Sequence, residues 1–183
     1  MTGTPSLVDM VSSSDHSRGP EDADLIVVEY GDYQCAYCDV ARAVVGELLE
    51  RFSGSMRFVF RNFPLSDLHP HAKSAAEFAE AAGFQGKFWE MHEVLYDNQW
   101  QLDDEALPMY ASQVGLDMEQ MMTADVVRRS VRRVESDFES AVQSGANATP
   151  TFFVNGVRYD GPPQYEPLAN YLEGVLSQID VRT

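Results

Sequence analysis

Apolar residues follow two different periods along the chain, and the period switches twice. Residues 25–30 (LIVVEY) form a short β-branched run that reads as a buried strand. Over 36–52, Ala41, Val44, Val45, Leu48, Leu49 and Phe52 recur at three and four, which predicts a helix with one apolar stripe. Ser53-Gly54-Ser55 stops it, and 56–60 reads as a second strand. Strand, helix and strand at this spacing predict a parallel, right-handed βαβ unit. From 70 to about 137 only helical spacing recurs. Ala72, Ala75, Ala76, Ala79 and Ala82 make a small-residue stripe ending at Gly83, and Phe88, Met91, His92, Leu95 and Tyr96 make a bulkier one. A weaker helix is predicted over 105–114. A long one follows over 126–142, with Val127, Val131, Val134, Phe138 and Val142 on its apolar side. Strands return at 151–154 and 157–159, joined by Asn155-Gly156, the strongest two-residue hairpin signal. A closing helix is predicted over 165–179.

The order is βαβ, a helical block, then ββα, an α/β protein whose two halves flank a helical insertion. The divisions fall at 1–24, a polar, Ser-rich leader read as flexible or loosely docked, then 25–65, the helical 66–143, and 144–183. With 183 residues, 44% of them hydrophobic and 11% aromatic, the chain can bury the core of one domain. Its 29 acidic against 13 basic residues give a net charge of −16, which repels phosphate backbones and anionic lipid and excludes a nucleic-acid partner. The longest aliphatic run, residues 25–28, is far short of the roughly 20 residues that span a bilayer, so no membrane association is expected. The leader has neither a basic start nor an apolar stretch of signal length. A cytoplasmic location is therefore expected, or a periplasmic one had a signal been trimmed.

The chemistry concentrates in two cysteines three apart, Cys35 and Cys38, at the start of the first predicted helix. Thiols at i and i+3 share a helix face at a separation a disulfide allows. Unpaired N–H groups at a helix start stabilise a thiolate, so Cys35 is the candidate attacking thiol and Cys38, one turn deeper, the candidate resolving thiol. A zinc site using the pair with His69 and His71 is the competing reading, although His-Pro-His lacks the usual ligand spacing. An inert structural pair is another. Glu29, six positions before Cys35 in an apolar strand, is either a strand-end carboxylate reaching water or a buried acid that exchanges a proton with Cys38. Thr149-Pro150 opens the third strand, either as an ordinary strand start or as a cis bond exposing the Thr149 backbone to an extended peptide.

Glu29-Tyr-Gly-Asp-Tyr-Gln-Cys-Ala-Tyr-Cys38, Arg61-Asn-Phe-Pro-Leu65, His69-Pro-His-Ala72, Gly86-Lys-Phe-Trp-Glu-Met-His92 and Thr149-Pro-Thr-Phe-Phe-Val-Asn-Gly156 together resemble the DsbA-like group of the thioredoxin superfamily. The likeness is greatest to small bacterial members, some of which occur fused to sodium/proton antiporters. The resemblance implies a thioredoxin fold with a helical insertion, Cys35 as nucleophile, Cys38 as resolving thiol and Pro150 as a cis-proline facing them. It also implies an acidic role for Glu29 behind the pair. Thr149, Pro150 and Tyr37 become candidate substrate contacts. The implied activity is thiol–disulfide exchange with a disulfide- or thiol-bearing protein and a reducing or oxidising partner. The Cys35–Cys38 pair carries the electrons, so no other cofactor and no metal is called for. The sequence departs from many relatives in having Ala36, not Pro, after the first cysteine. Asp32 and Asp39 add negative charge that opposes a thiolate. The alternatives are a glutathione-using isomerase or transferase on the same fold, and a non-catalytic redox-sensing or zinc-binding module. Phe63, Phe88, Trp89 and Trp100 either line a groove beside the pair or pack in the core.

Overall fold

The computed structural model describes residues 5–181. Its elements are β1 (His16–Arg18), β2 (Leu25–Gly31), α1 (Ala36–Arg51), β3 (Met56–Asn62), α2 (Ala72–Gly83), α3 (Phe88–Asp97), α4 (Ala106–Gln113), α5 (Met118–Met121), α6 (Ala124–Gln143), β4 (Thr151–Val154), β5 (Val157–Tyr159) and α7 (Tyr165–Asp180). Five strands form one sheet in the order β1-β3-β2-β4-β5. β2 and β3 run parallel, from Leu25 beside Met56 to Gly31 beside Asn62, and α1 makes the crossover. β4 lies antiparallel to β2, and β5 antiparallel to β4. Asn155 and Gly156 both adopt the left-handed region, φ 47° and 82°, as a tight hairpin requires. The Asn155 side chain also accepts from Ile26 N and donates to the Asp24 carbonyl, which pins the hairpin to the start of β2.

Strand alternation divides the core. Leu25, Val27, Phe58, Phe60, Phe152 and Val154 join the residues of α1, α7 and the insertion helices on one face. Val28, Tyr30, Val59 and Phe153 join Leu7, Phe63, Ala141 and Ala146 on the other. Each large side chain buried this way contributes about 1.5–3 kcal/mol. Within the insertion the small face of α2 (Ala72, Ala75, Ala76, Ala79) is fully buried and lets α3 and α6 approach closely.

Two expectations are corrected. Between residues 5 and 24 the leader is docked along the sheet and contributes a strand to it. Ser6 bridges Val157, Leu7 is buried, and His16–Arg18 form an antiparallel edge strand on β3. Residues 1–4 lie outside the described residues. What holds this segment is mostly ionic and aromatic, so apolar periodicity carries no trace of it. Asp15 pairs with Arg61 at 2.9 Å, and His16 stacks on Phe88 with ring centroids 3.5 Å apart. The apolar side of α6 is also turned from the expected stripe. Val127, Phe138 and Val142 are substantially exposed, while Val126, Ser130, Val134, Asp137, Ser140 and Ala141 face inward. The inward side meets a polar network in which Asp137 accepts from the Asn62 backbone and side chain.

Among the described residues no helix is long and apolar enough to cross a membrane.

Candidate active site

Cys35 is the N-cap residue of α1, with extended backbone (φ −80°, ψ 115°) and no side-chain oxygen in the capping role. Its sulfur occupies that place. The Cys38 thiol donates a hydrogen bond to it, Thr149 adds to the effect, and the Tyr37 and Cys38 backbone N–H groups point at it. The Cys38 bond is the largest influence, and against the opposing effect of burial these donors bring the Cys35 pKa down to about 5. Cys38 is completely buried, and Cys35 is 6% exposed. Burial first, then the bond to Cys35 and the charge of Glu29, push the Cys38 thiol well above its ordinary value. The two thiols are thus separated into an acidic, reachable one and a protonated, hidden one.

Thr149–Pro150 is a cis peptide bond. It sets the half-buried Thr149 against the pair, with its carbonyl oxygen 3.3 Å from Cys35 Sγ. Tyr37, between the cysteines on the first turn of α1, is 75% exposed and projects to solvent beside them.

Glu29 lies in β2, in register with Phe60 on one side and Phe152 on the other. It is 2% exposed. Burial raises its pKa to about 8, and the negative charge of Cys35 adds to the rise. It faces the same side of the sheet as the cysteines, as alternation from Val27 requires. The structure therefore places Glu29, Cys35, Cys38, Thr149 and Pro150 together, with Tyr37 at the rim.

Sequence reasoning missed the groups that hold this turn in place. Gln99 is buried two residues past the end of α3. Its amide donates to the Tyr33 carbonyl at 2.8 Å and the Cys35 carbonyl at 3.0 Å, tying the helical insertion to the dithiol turn. Its position 64 residues from Cys35 leaves no local signal. Asp32 is buried. It accepts from Gln34 N and Leu65 N and meets His69 Nδ1, each at 2.8 Å. Gln34 in turn accepts from His71 N at 2.6 Å. The loop at 64–71 is therefore clamped to the turn, and His69 serves that clamp. Asp39 is engaged by Arg42 at 2.9 Å. Among the described residues no group of three or more His, Cys, Asp or Glu is placed to hold a metal ion. Phe63 and Phe88 are buried in the core, Trp89 packs on Phe58, and Trp100 is 87% exposed next to Gln99.

An acidic thiol capping a helix, a buried partner thiol one turn on and a cis-proline loop against them define a dithiol protein of thioredoxin fold. A family model described as Thioredoxin (Thioredoxin_4) matches residues 12–174, and the chain belongs to that family. Among solved structures it is similar to BdbD from Bacillus subtilis, at 24% identity and a TM-score of 0.78, covering 96% of this chain and 97% of that one. It is also similar to a thioredoxin-like oxidoreductase from Silicibacter pomeroyi, at 28% identity and a TM-score of 0.77, covering 91% and 94%. The fold is that of the DsbA-family thiol–disulfide oxidoreductases. In sequence the chain is 44% identical over 163 residues to a Na(+)/H(+) antiporter NhaA 1 from Salinispora arenicola, covering 89% of this chain and 25% of the antiporter. The chain thus spans about a quarter of the length of the curated relatives it matches.

Proposed function

We propose that this chain is a thiol–disulfide oxidoreductase working through Cys35 and Cys38. The observation that carries the reading is the pairing of a helix-capping Cys35, at a pKa of about 5, with a buried, protonated Cys38 facing Glu29. In the reducing direction the Cys35 thiolate attacks one sulfur of a substrate disulfide. A Cys35–substrate bond forms and the other substrate sulfur leaves as a thiolate. Cys38 then gives its proton to the Glu29 carboxylate and attacks Cys35 Sγ. The Cys35–Cys38 bond forms, and the second substrate sulfur departs with the electron pair. Two electrons pass from the pair to the substrate, and the oxidising direction is the reverse.

Thr149 and Pro150 serve as the backbone platform for an extended substrate segment, and exposed Tyr37 flanks it. A thiolate stabilised as Cys35 is favours the dithiol over the disulfide, which makes the oxidised pair a stronger oxidant than one built from ordinary thiols. A reducing compartment such as the cytoplasm keeps the pair as dithiol, and an oxidising one drives the opposite flux.

The test is trapping with Cys38→Ser. The variant should stall with protein substrates disulfide-bonded to Cys35, releasable by dithiothreitol, and should lose turnover with a model protein disulfide. Recovery of no Cys35-linked partner, with turnover intact, would overturn the reading. Turnover that required glutathione would move the protein to the glutathione-using class.

A further inference from the structure

The proposed cycle uses Cys38 in both directions, as the sulfur that resolves the mixed disulfide and, in reverse, as the sulfur that leaves. The inference here rests on that cycle. In either step negative charge develops on a completely buried sulfur. Burial, the bond to Cys35 and the charges of Glu29 and Cys35 oppose it. The backbone N–H of Asp32 acts the other way, because it points at the Cys38 sulfur and donates to it.

Asp32 is fixed through its side chain. It stands just past Gly31 at the end of β2, and its carboxylate is fully buried. Oδ1 accepts from Gln34 N at 2.8 Å, a local turn that leads into α1. Oδ2 accepts from Leu65 N and meets His69 Nδ1, both at 2.8 Å. The Asp32 carbonyl accepts from Cys35 N at 3.1 Å. A single turn of chain swings His69 back onto Asp32: Leu68 N and His69 N donate to the Leu65 carbonyl at 2.8 and 2.9 Å. Pro70 biases His69 away from helical backbone, which ends that turn. Among the described residues His69 is the one basic side chain within 4 Å of the Asp32 carboxylate. As a charge alone, a carboxylate buried beside a dithiol costs desolvation and hinders a thiolate. As a pinned residue, it delivers a donor to the resolving sulfur.

We propose that Asp32 and His69 are a positioning pair for the resolving step: His69 and the Gln34 and Leu65 N–H groups hold the Asp32 carboxylate, and the Asp32 backbone N–H is thereby aimed at Cys38 as it becomes a thiolate. In the reducing direction Cys38 gives its proton to Glu29 and attacks Cys35 Sγ. The Cys35–Cys38 bond forms, the Cys35–substrate bond breaks, and the substrate sulfur leaves with the electron pair. A hydrogen bond to a thiolate is stronger than one to a thiol, so the Asp32 N–H favours the transition state over the resting dithiol. In the oxidising direction the same N–H receives the charge as Cys38 departs. No proton or electron passes through Asp32 or His69. Cys35 is served by other donors, namely the Cys38 thiol, Thr149 and the Cys38 and Tyr37 N–H groups. The pair therefore acts on the second step and leaves the first alone.

The experiment uses the full chain with glutathione preloaded on Cys35 as a mixed disulfide. Release of glutathione by Cys38 is timed at one fixed pH, and alkylation of Cys35 is timed in the reduced protein. His69→Leu removes the donor to Asp32 and should slow release by about tenfold. His69→Asn keeps an N–H at the place of Nδ1 and should stay within about twofold of the unaltered protein. Asp32→Asn should slow release by at least about tenfold, although it removes a negative charge. Alkylation of Cys35 should be unchanged in all three. Release in Asp32→Asn as fast as in the unaltered protein, or faster, is the sign expected of a mere repelling charge and overturns the proposal. So does His69→Asn being no faster than His69→Leu, or an equal slowing of release and alkylation, which a general loosening of the site would give. If Cys38→Ser releases glutathione as fast as the unaltered protein, the exchange reading itself falls, a result distinct from the others.

Discussion

The sheet buries a carboxyl group on each face, and the chain treats the two in opposite ways. Asp15, on the α6 side, receives Arg61 through two bonds at 2.9 and 3.1 Å, Arg133 at 2.8 Å and the Ser12 backbone N–H at 2.8 Å. Burial alone would push its pKa up, but the Arg61 bonds and charges outweigh burial and hold it at about 2. Among the described residues Glu29, on the side of α1 and the cysteines, is given no cation of its own. Arg18 and Arg42, which line a cavity together with Glu29, are engaged by Glu93, and burial takes Glu29 to about 8. Arg61 sits beside Tyr30 in the β2–β3 register, one residue along from Glu29. The means of neutralising a buried acid are thus close at hand and are not used at Glu29. A carboxyl that only ties elements together is paired. Glu29, which takes up and loses a proton in the proposed mechanism, is left unpaired, at a cost in stability.

The largest effect is expected on the paired side. Arg61→Leu leaves Asp15 without its main partner and should destabilise the fold by about 3–5 kcal/mol in urea unfolding. Cys35 reactivity should be unchanged in whatever fraction remains folded. A loss under 1 kcal/mol would erase the contrast between the two faces.

A smaller effect of opposite sign is expected from Glu29→Gln. The folded pKa of Glu29, about 8, lies above its ordinary value of 4.5. The native state therefore binds more protons than the unfolded chain across that window, and stability falls as pH rises through it. Gln carries no such penalty, so the reduced variant should be more stable by about 3 kcal/mol at pH 7, with the gain vanishing below pH ~4.5. Matched unfolding curves at both pH values decide this, and a variant less stable at pH 7 contradicts it.

How much of this was legible in the chain depends on the range of the interaction. The dithiol was readable because its logic is local: two thiols one turn apart at a helix start. The Asn155-Gly156 hairpin and the alanine face of α2 were readable for the same reason. Glu29 stood out as a charge in an apolar strand, but its isolation from cations is a property of the assembled sheet. β1 was invisible, since Asp15 and Arg61 are 46 residues apart and His16 and Glu80 are 64 apart. The phase of α6 was misjudged because its buried side carries Ser130, Asp137 and Ser140: Asp137 and Ser140 find partners on β3 and β2, and Ser130 donates back to the Val126 carbonyl within the helix. Tyr96 looked like one more member of an apolar stripe. Only the fold shows that its hydroxyl has no hydrogen-bond partner among the described residues and that it lines a cavity.

The most direct test of the central claim is the rate of Cys35 alkylation by iodoacetamide as a function of pH, with the modified residue identified by mass spectrometry. The account predicts a midpoint near pH 5 and modification at Cys35 alone, with Cys38 unreactive well past neutrality. A midpoint near the ordinary thiol value of 9, or modification of both cysteines together, would contradict it.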